Sequence, residues 1–165
     1  MNEVRQTKLL EAMIEFDGGS PLRIQHFLKV WSFARQIGKM EGLDLKTQEI
    51  LETAAIVHDI GIRVSLEKFG DCVGKHQEME GPALAEEMLT RLGYEKDVVE
   101  RVSWLVGHHH TYSNVEELDH RILLEADFLV NSYESNESIE AIHAFMRNVF
   151  RTPSGIRLLK LQYGL

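Results

Sequence analysis

Cysteine is almost absent from this sequence. Cys72 is the only one in 165 residues, so neither a disulfide framework nor a cysteine zinc knuckle can be built. That usage suits a reducing compartment. Basic charge is also short: 18 Lys+Arg against 26 Asp+Glu leave a net charge of -8. A basic face for direct nucleic-acid binding is therefore not expected. No apolar run nears the roughly 20 residues that span a bilayer. Residues 1–15 carry charge throughout, where a secretory leader would have an apolar stretch. These absences predict a cytoplasmic protein with no membrane partner. Two more bear on the fold. No stretch alternates polar and apolar residues at period two over a strand's length. No repeat, linker or low-complexity segment interrupts the chain, which reads as one domain over 1–165.

What is present is the balance of a globular protein, 44% hydrophobic and 27% charged, on a chain long enough for a real core. Helical spacing of Leu9, Leu10, Met13 and Ile14 predicts a helix over 7–16, stopped by Gly18-Gly19. Ser20-Pro21 opens the next, an N-cap with proline at the first helical position, which runs to about residue 41. Asp44 can cap a third helix ending at Val57. Residues 60–76 hold Gly61, Gly70 and Gly74 and show no period; they read as a loop with one helical turn at most. Gly81-Pro82 precedes a helix over 83–89, and further helices are predicted over 96–109, 118–133 and 138–150, with a last one after Thr152-Pro153. The fold class is all-α, a compact bundle of about seven helices whose short loops suggest antiparallel neighbours. The amphipathic helices over 138–165 can pack on the domain or on a second chain, which leaves a homodimer open.

The informative residues are polar ones on apolar arcs. Ala54-Ala55-Ile56-Val57 runs into His58-Asp59-Ile60-Gly61, placing an imidazole and a carboxylate at the end of a segment small enough to sit deep in a core. Burying such groups costs several kcal/mol unless they are compensated. A metal cation compensates both, taking a neutral imidazole nitrogen and an ionised carboxylate oxygen. At about 100° per residue, His26 falls between Phe33 and Ile37, and Arg23 beside Val30 and Ala34, so both are predicted to face the core. Asp127 has Leu123 and Leu124 as wheel neighbours. Glu125 lies on another side of that helix and is expected to meet solvent. His108-His109-His110 ends an apolar helix, and His76 precedes a helix start. His120 and His143 read as surface or packing residues. Taken singly, His26 reads as well as a core histidine, Arg23 as an exposed first-turn residue, Asp127 as a buried acid serving an arginine, and 108–110 as solvated loop. Together they form an ordered set, each at the inner end or face of a predicted helix.

That order, His26, then His58-Asp59, His76, His109 and Asp127, resembles the HD-domain metal-dependent phosphohydrolases. Arg23-Ile24-Gln25-His26, His58-Asp59-Ile60-Gly61 and Glu125-Ala126-Asp127 are also similar to the family's surroundings. The resemblance covers residues 23–133, with a motif-bearing core over about 21–135. It implies a metal held by His26, His58, Asp59 and Asp127. In members with two extra histidines it implies a second metal bridged by Asp59. Here His76 and one or both of His108 and His109 match those positions, and His109 is favoured. The family often carries a Lys soon after the Gly of His-Asp-x-Gly. This chain departs from that with Ile62 followed by Arg63.

The expected cofactor is one or two divalent transition ions, Fe, Mn, Co, Ni or Zn, since the donor set holds no thiolate. The implied reaction is hydrolysis of a phosphate monoester or phosphoanhydride by metal-activated hydroxide, with a nucleotide the expected small substrate. Asp59 and Arg63 are the candidate catalytic residues. Arg23, Arg63 and Lys75 are candidates to hold phosphate oxygens. Tyr112, Trp104 and Phe69 can stack on a base, though each also reads as core or rim. Two other classes fit the same residues: a ligand-binding module without turnover, and a di-iron oxygenase.

Overall fold

A computed structural model describes residues 3–165; Met1 and Asn2, included in the single-domain reading, lie outside the described residues. The chain is all-helical, with α1 Glu3–Phe16, α2 Pro21–Met40, α3 Leu45–Val57, α4 Ile62–Phe69, α5 Gly74–Arg91, α6 Lys96–Val106, α7 Leu118–Glu134, α8 Ile139–Asn148 and α9 Pro153–Tyr163. Local chemistry sets several starts. Asp44 accepts from the backbone of Lys46 and Thr47, Ser138 from Ala141, and Thr152 from Gly155. Ser20 makes no side-chain cap, so α2 begins on Pro21 alone. No described helix is long and apolar enough to cross a membrane.

Helices α2, α3 and α7 pack on one another and form the centre, with α6 against α3, α5 against α6, α1 against α3, and α9 against α7 and α2. Every residue from Leu51 to His58 is buried. Ala54 and Ala55 make that possible, because side chains of minimal size let α2, α6 and α7 approach α3 closely. Burying Leu51, Ile56 and Val57 contributes about 1.5–3 kcal/mol each. The same helix carries Glu52, fully buried. Gln6, Trp31 and Gln48 each donate to it, at 2.7, 3.1 and 2.8 Å. The carboxylate thereby ties α1, α2 and α3 together, as a buried charge requires.

Two elements differ from the sequence reading. The expected loop over 60–76 contains α4, capped by Gly70 in the left-handed region at φ 76. Ile62, Leu66 and Phe69 do fall at helical spacing, but the helix is only eight residues long and lies between glycines that read as loop. Helix α5 starts at Gly74 and passes through Gly81-Pro82, taken as a start signal. Proline inside a helix costs about 3 kcal/mol, and tertiary packing outweighs it here: a Cβ on Gly107, at the end of α6, would lie 3.2 Å from the Pro82 ring.

The close approach of α5 to the end of α3 explains Gly61. Its φ is an ordinary -74, so conformational freedom is not the reason. A Cβ there would stand 2.7 Å from the Gln77 carbonyl oxygen and 2.9 Å from the Gly81 nitrogen, both backbone atoms. Gly61→Ala is therefore expected to destabilise the protein by about 1–3 kcal/mol, the range for overpacking a close-packed interior. Urea unfolding checks this; an unchanged midpoint would show that the α4–α5 backbone yields freely.

Glu125 is buried, not exposed as expected from its position on the wheel. Helix α7 has α2 and α3 on one side and α9 on the other, so its second face meets protein. There Glu125 accepts from Arg151 N at 2.7 Å, from Thr152 N at 3.0 Å and from the Thr152 hydroxyl. A carboxylate at the start of α9 also suits the helix dipole. Gln162 donates to the Leu129 carbonyl and Tyr163 to the Ser132 hydroxyl, at 2.9 and 2.7 Å. The last helix thus packs on its own chain. In α8, Phe145 stacks on Phe128 at 3.6 Å.

Candidate metal centre

His26, His58 and Asp59 are close enough to share one ion, and Asp127 adjoins them through both imidazoles. Helix α2 brings His26, the end of α3 brings His58 and Asp59, and α7 brings Asp127. His26 Nε2 lies 3.2 Å from His58 Nε2, 3.3 Å from Asp59 Oδ2 and 3.2 Å from Asp127 Oδ1. His58 Nε2 lies 3.4 Å from the same two carboxylate oxygens. His26, His58 and Asp127 are buried and Asp59 is nearly so.

The outer nitrogens of the rings fix what faces inward. His58 Nδ1 donates to the Ala55 carbonyl at 2.8 Å and His109 Nδ1 to the Val106 carbonyl at 2.6 Å. Glu134 Oε2 accepts from His26 Nδ1 at 2.7 Å, while Lys29 donates to the other Glu134 oxygen at 2.5 Å. With protons held on the outer nitrogens, each Nε2 presents a lone pair. Two lone pairs 3.2 Å apart, flanked by two carboxylates, repel unless a cation or proton lies among them. Ligand atoms about 2.0–2.2 Å from one ion stand about 3.0–3.5 Å from each other, the spacing found. The donor set therefore fits a divalent cation.

Without an ion the cluster holds protons instead. Burial alone pulls His58 down; the Asp59 charge and the Asp127 hydrogen bond outweigh it and carry the imidazole up to about 9. His26 rises too, its burial outweighed by Asp127 and Asp59. Burial pushes both carboxyls up, but the His58 charge for Asp59, and hydrogen bonds from His26 and His58 for Asp127, hold them well below the ordinary carboxylate range.

A second group adjoins the first through Asp59. Its Oδ1 lies 3.4 Å from His109 Nε2, and Asp59, His109 and His110 together are close enough to share an ion. The histidine run is thus divided by the turn after α6. His109 is fully buried toward Asp59. His108 turns away, its ring 3.9 Å from Trp104 and its Nδ1 donating to the Trp104 carbonyl. The structure therefore does not bring His108 to the centre. Nor is His76 in either group. Its Nδ1 meets Asp71 at 2.6 Å and its ring stacks on Phe69 at 4.0 Å. One residue along α5 turns the side chain by about 100°, so Gln77 rather than His76 faces His109, at 3.3 Å.

A cleft of about 200 Å³ opens beside the donors, with Arg23, Gln77, His110, Asn131 and Glu134 on its walls. Arg23 lines this cleft, its Nε donating to Asp17 at 3.0 Å. Arg63 and Lys75 do not line it. Because 62–69 is helical, Arg63 points outward along α4 to Glu67 at 3.3 Å, and Lys75 is exposed on the first turn of α5. Of the three candidate aromatics, Trp104 and Phe69 are occupied by His108 and His76. Tyr112 feels the centre: burial first, then the Asp127 and Glu78 charges, push its hydroxyl up to about 12. His120 is buried and its Nε2 donates to the His108 carbonyl.

Glu134, Asn131 and Gln77 escaped the sequence reading, whereas His110 belongs to the histidine run whose register it left open. Glu134 and Asn131 carried a signal, lying seven and four residues after Asp127 on one helical face. Gln77 carried none, because the start of α5 was read as loop. Glu134→Gln is expected to weaken divalent-metal affinity about 10–100-fold, as loss of an orienting carboxylate behind a ligating histidine does. Calorimetric titration with manganese checks this; unchanged affinity would mean that Lys29 alone occupies Glu134.

Comparison with known proteins agrees with this geometry. The pattern of the HD domain matches residues 23–144. The crystal structure of a predicted HD superfamily hydrolase from an uncultured Thermotogales bacterium is similar in fold. It has a TM-score of 0.70 at 23% identity, over 96% of this chain and 84% of that one. No curated protein is significantly similar. The matched stretch runs from Arg23 through all four converging donors, and the chain belongs to the HD domain family.

Proposed function

We propose that the protein is a metal-dependent phosphohydrolase that cleaves a phosphate monoester or phosphoanhydride, with a nucleotide as the expected substrate. The observation that carries this reading is that His26, His58 and Asp59 are close enough to share one ion and that Asp127 adjoins both imidazoles, with outer ring protons held by Ala55 and Glu134. A divalent cation held there supplies Lewis acidity, which acidifies water toward a pKa of about 7 and polarises a phosphoryl oxygen.

The chain's own residues do the rest. Asp17 takes Arg23 Nε and so aims the guanidinium, whose remaining N–H groups suit the oxygens of a phosphate. Glu134 keeps the His26 proton on Nδ1 and the lone pair on Nε2. Ile62 and Leu22 border the cleft and limit water on that side. The cleft volume of about 200 Å³ suits a phosphate and the first part of its carrier. The remainder of a nucleotide then lies outside it, toward Tyr112, which is 44% exposed.

The test is phosphate release from a panel of nucleotides and simple phosphate esters by protein loaded in turn with Mn, Fe, Co, Ni and Zn. Metal-dependent release that Arg23→Ala reduces mainly through KM supports the reading. No release with any metal overturns it. Oxygen consumption by the iron-loaded protein without phosphate release would assign oxygenase chemistry instead.

A further inference from the structure

One polar side chain on the cleft wall serves nothing else in the fold. Asn131 lines the cleft and is half-buried. Its backbone carbonyl accepts from Ser135 N at 2.8 Å, as a helix requires. Its side-chain amide makes no hydrogen bond with any described residue. Asparagine is a poorer helix former than alanine or leucine, and no contact of the amide offsets that disadvantage.

Its place on α7 restricts what it can meet. Asp127 lies four residues before it and Glu134 three after, on the same helical face, so carboxylates flank it on both sides. Arg23, from α2, is the one Lys or Arg among the described residues that line the cleft. Charge therefore draws a phosphate toward Arg23 and the cation and holds it off Asn131. What reaches Asn131 is the neutral part of the substrate next to the phosphate. The cleft takes the phosphate and the start of its carrier, which in a nucleotide is the sugar. A phosphate oxygen only accepts, whereas an amide both donates and accepts, and so does a hydroxyl.

We infer that Asn131 reads a sugar hydroxyl and gives the protein a preference for nucleotides that carry it. This rests on the phosphohydrolase reading. Water still reaches a half-buried amide, so the preference is about tenfold, far below the roughly 10⁴-fold of a site that excludes water.

The experiment measures kcat/KM of manganese-loaded protein on nucleotides of one base in the ribo, 2′-deoxy and 3′-deoxy forms. Wild type is expected to favour the ribo form about tenfold over at least one of the deoxy forms. Asn131→Leu should bring that ratio to within twofold of one. Leucine is the better helix former, so the thermal midpoint should stay or rise. Equal rates for all three forms in wild type overturn the inference and leave the hydrolase reading standing. So does a preference that survives in Asn131→Leu, or a uniform loss on all three forms, which would place Asn131 on the phosphate. A midpoint lowered by more than about 4 °C, roughly 1 kcal/mol for a chain of this size, would show that Asn131 serves the fold and overturns it as well. No release from any form overturns both readings.

Discussion

Replacing Asp59 with alanine is expected to remove bound metal and phosphate release together. Asp59 alone among the described residues joins both donor groups: Oδ2 approaches His26 and His58 at 3.3 and 3.4 Å, and Oδ1 approaches His109 at 3.4 Å. Loss of an orienting group behind a ligand typically costs 10–100-fold, so loss of a ligand shared by two groups should reduce release by more than about 100-fold. The fold should persist, because Asp59 lines the cleft and is not among the residues of the apolar core. The measurement is elemental analysis and phosphate release, beside far-ultraviolet circular dichroism. Full activity in Asp59→Ala with normal helicity would remove the basis of the proposed chemistry. Asp127→Ala should behave similarly toward the first ion, since Asp127 Oδ1 contacts both His26 and His58.

The second large effect is on pH. In the metal-free protein His58 is raised to about 9 and His26 is raised as well. A raised folded-state pKa contributes stability that is fully present below the unfolded value, about 6.5 for histidine, and is lost as pH climbs through the folded value. Asp59 and Asp127 are depressed, so their contribution is present above the unfolded carboxylate value, about 3.9, and is lost as pH falls below it. For these four groups the metal-free protein is most stable between about pH 4 and 6.5. A cation displaces the imidazole protons, so its affinity runs the other way. Displacing the His58 proton adds about tenfold in affinity per pH unit up to about 9. The expected result is a melting-temperature gap between metal-loaded and stripped protein that is small at pH 5.5 and widens steadily to pH 8.5. Thermal scans over that range check it. A gap that stays constant or narrows would mean that no imidazole proton leaves when the metal binds.

Particular residues show why some features were legible in the chain and others were not. His26 and Asp127 could be assigned inward from the wheel alone, because an amphipathic helix declares its buried face through spacing, and both are buried. The His58-Asp59 pair was legible because four small or branched apolar residues precede it. Glu125 was not. The wheel tells which face is apolar, not what covers the other, and here α9 covers it with backbone N–H groups that need an acceptor. The register at residues 76 and 77 was not legible either. Gly61 presses α5 against the end of α3 and so decides which side chain faces His109. The same holds for the division of the histidine run, where a turn after α6 sends His108 to Trp104 and His109 to Asp59.

Sequence alone determined the helical class, the inward polar residues and the ordered donors, since these follow from local periodicity and from the cost of burying charge. Tertiary structure decided which of those donors meet, that Gln77 and Glu134 join them, and that Arg63, Lys75, His76 and His108 stand elsewhere. The physical reason is that helical phase is a local property. The distance between two side chains on different helices depends on how closely the backbones cross, and at this centre that is decided by a glycine with no side chain to signal it.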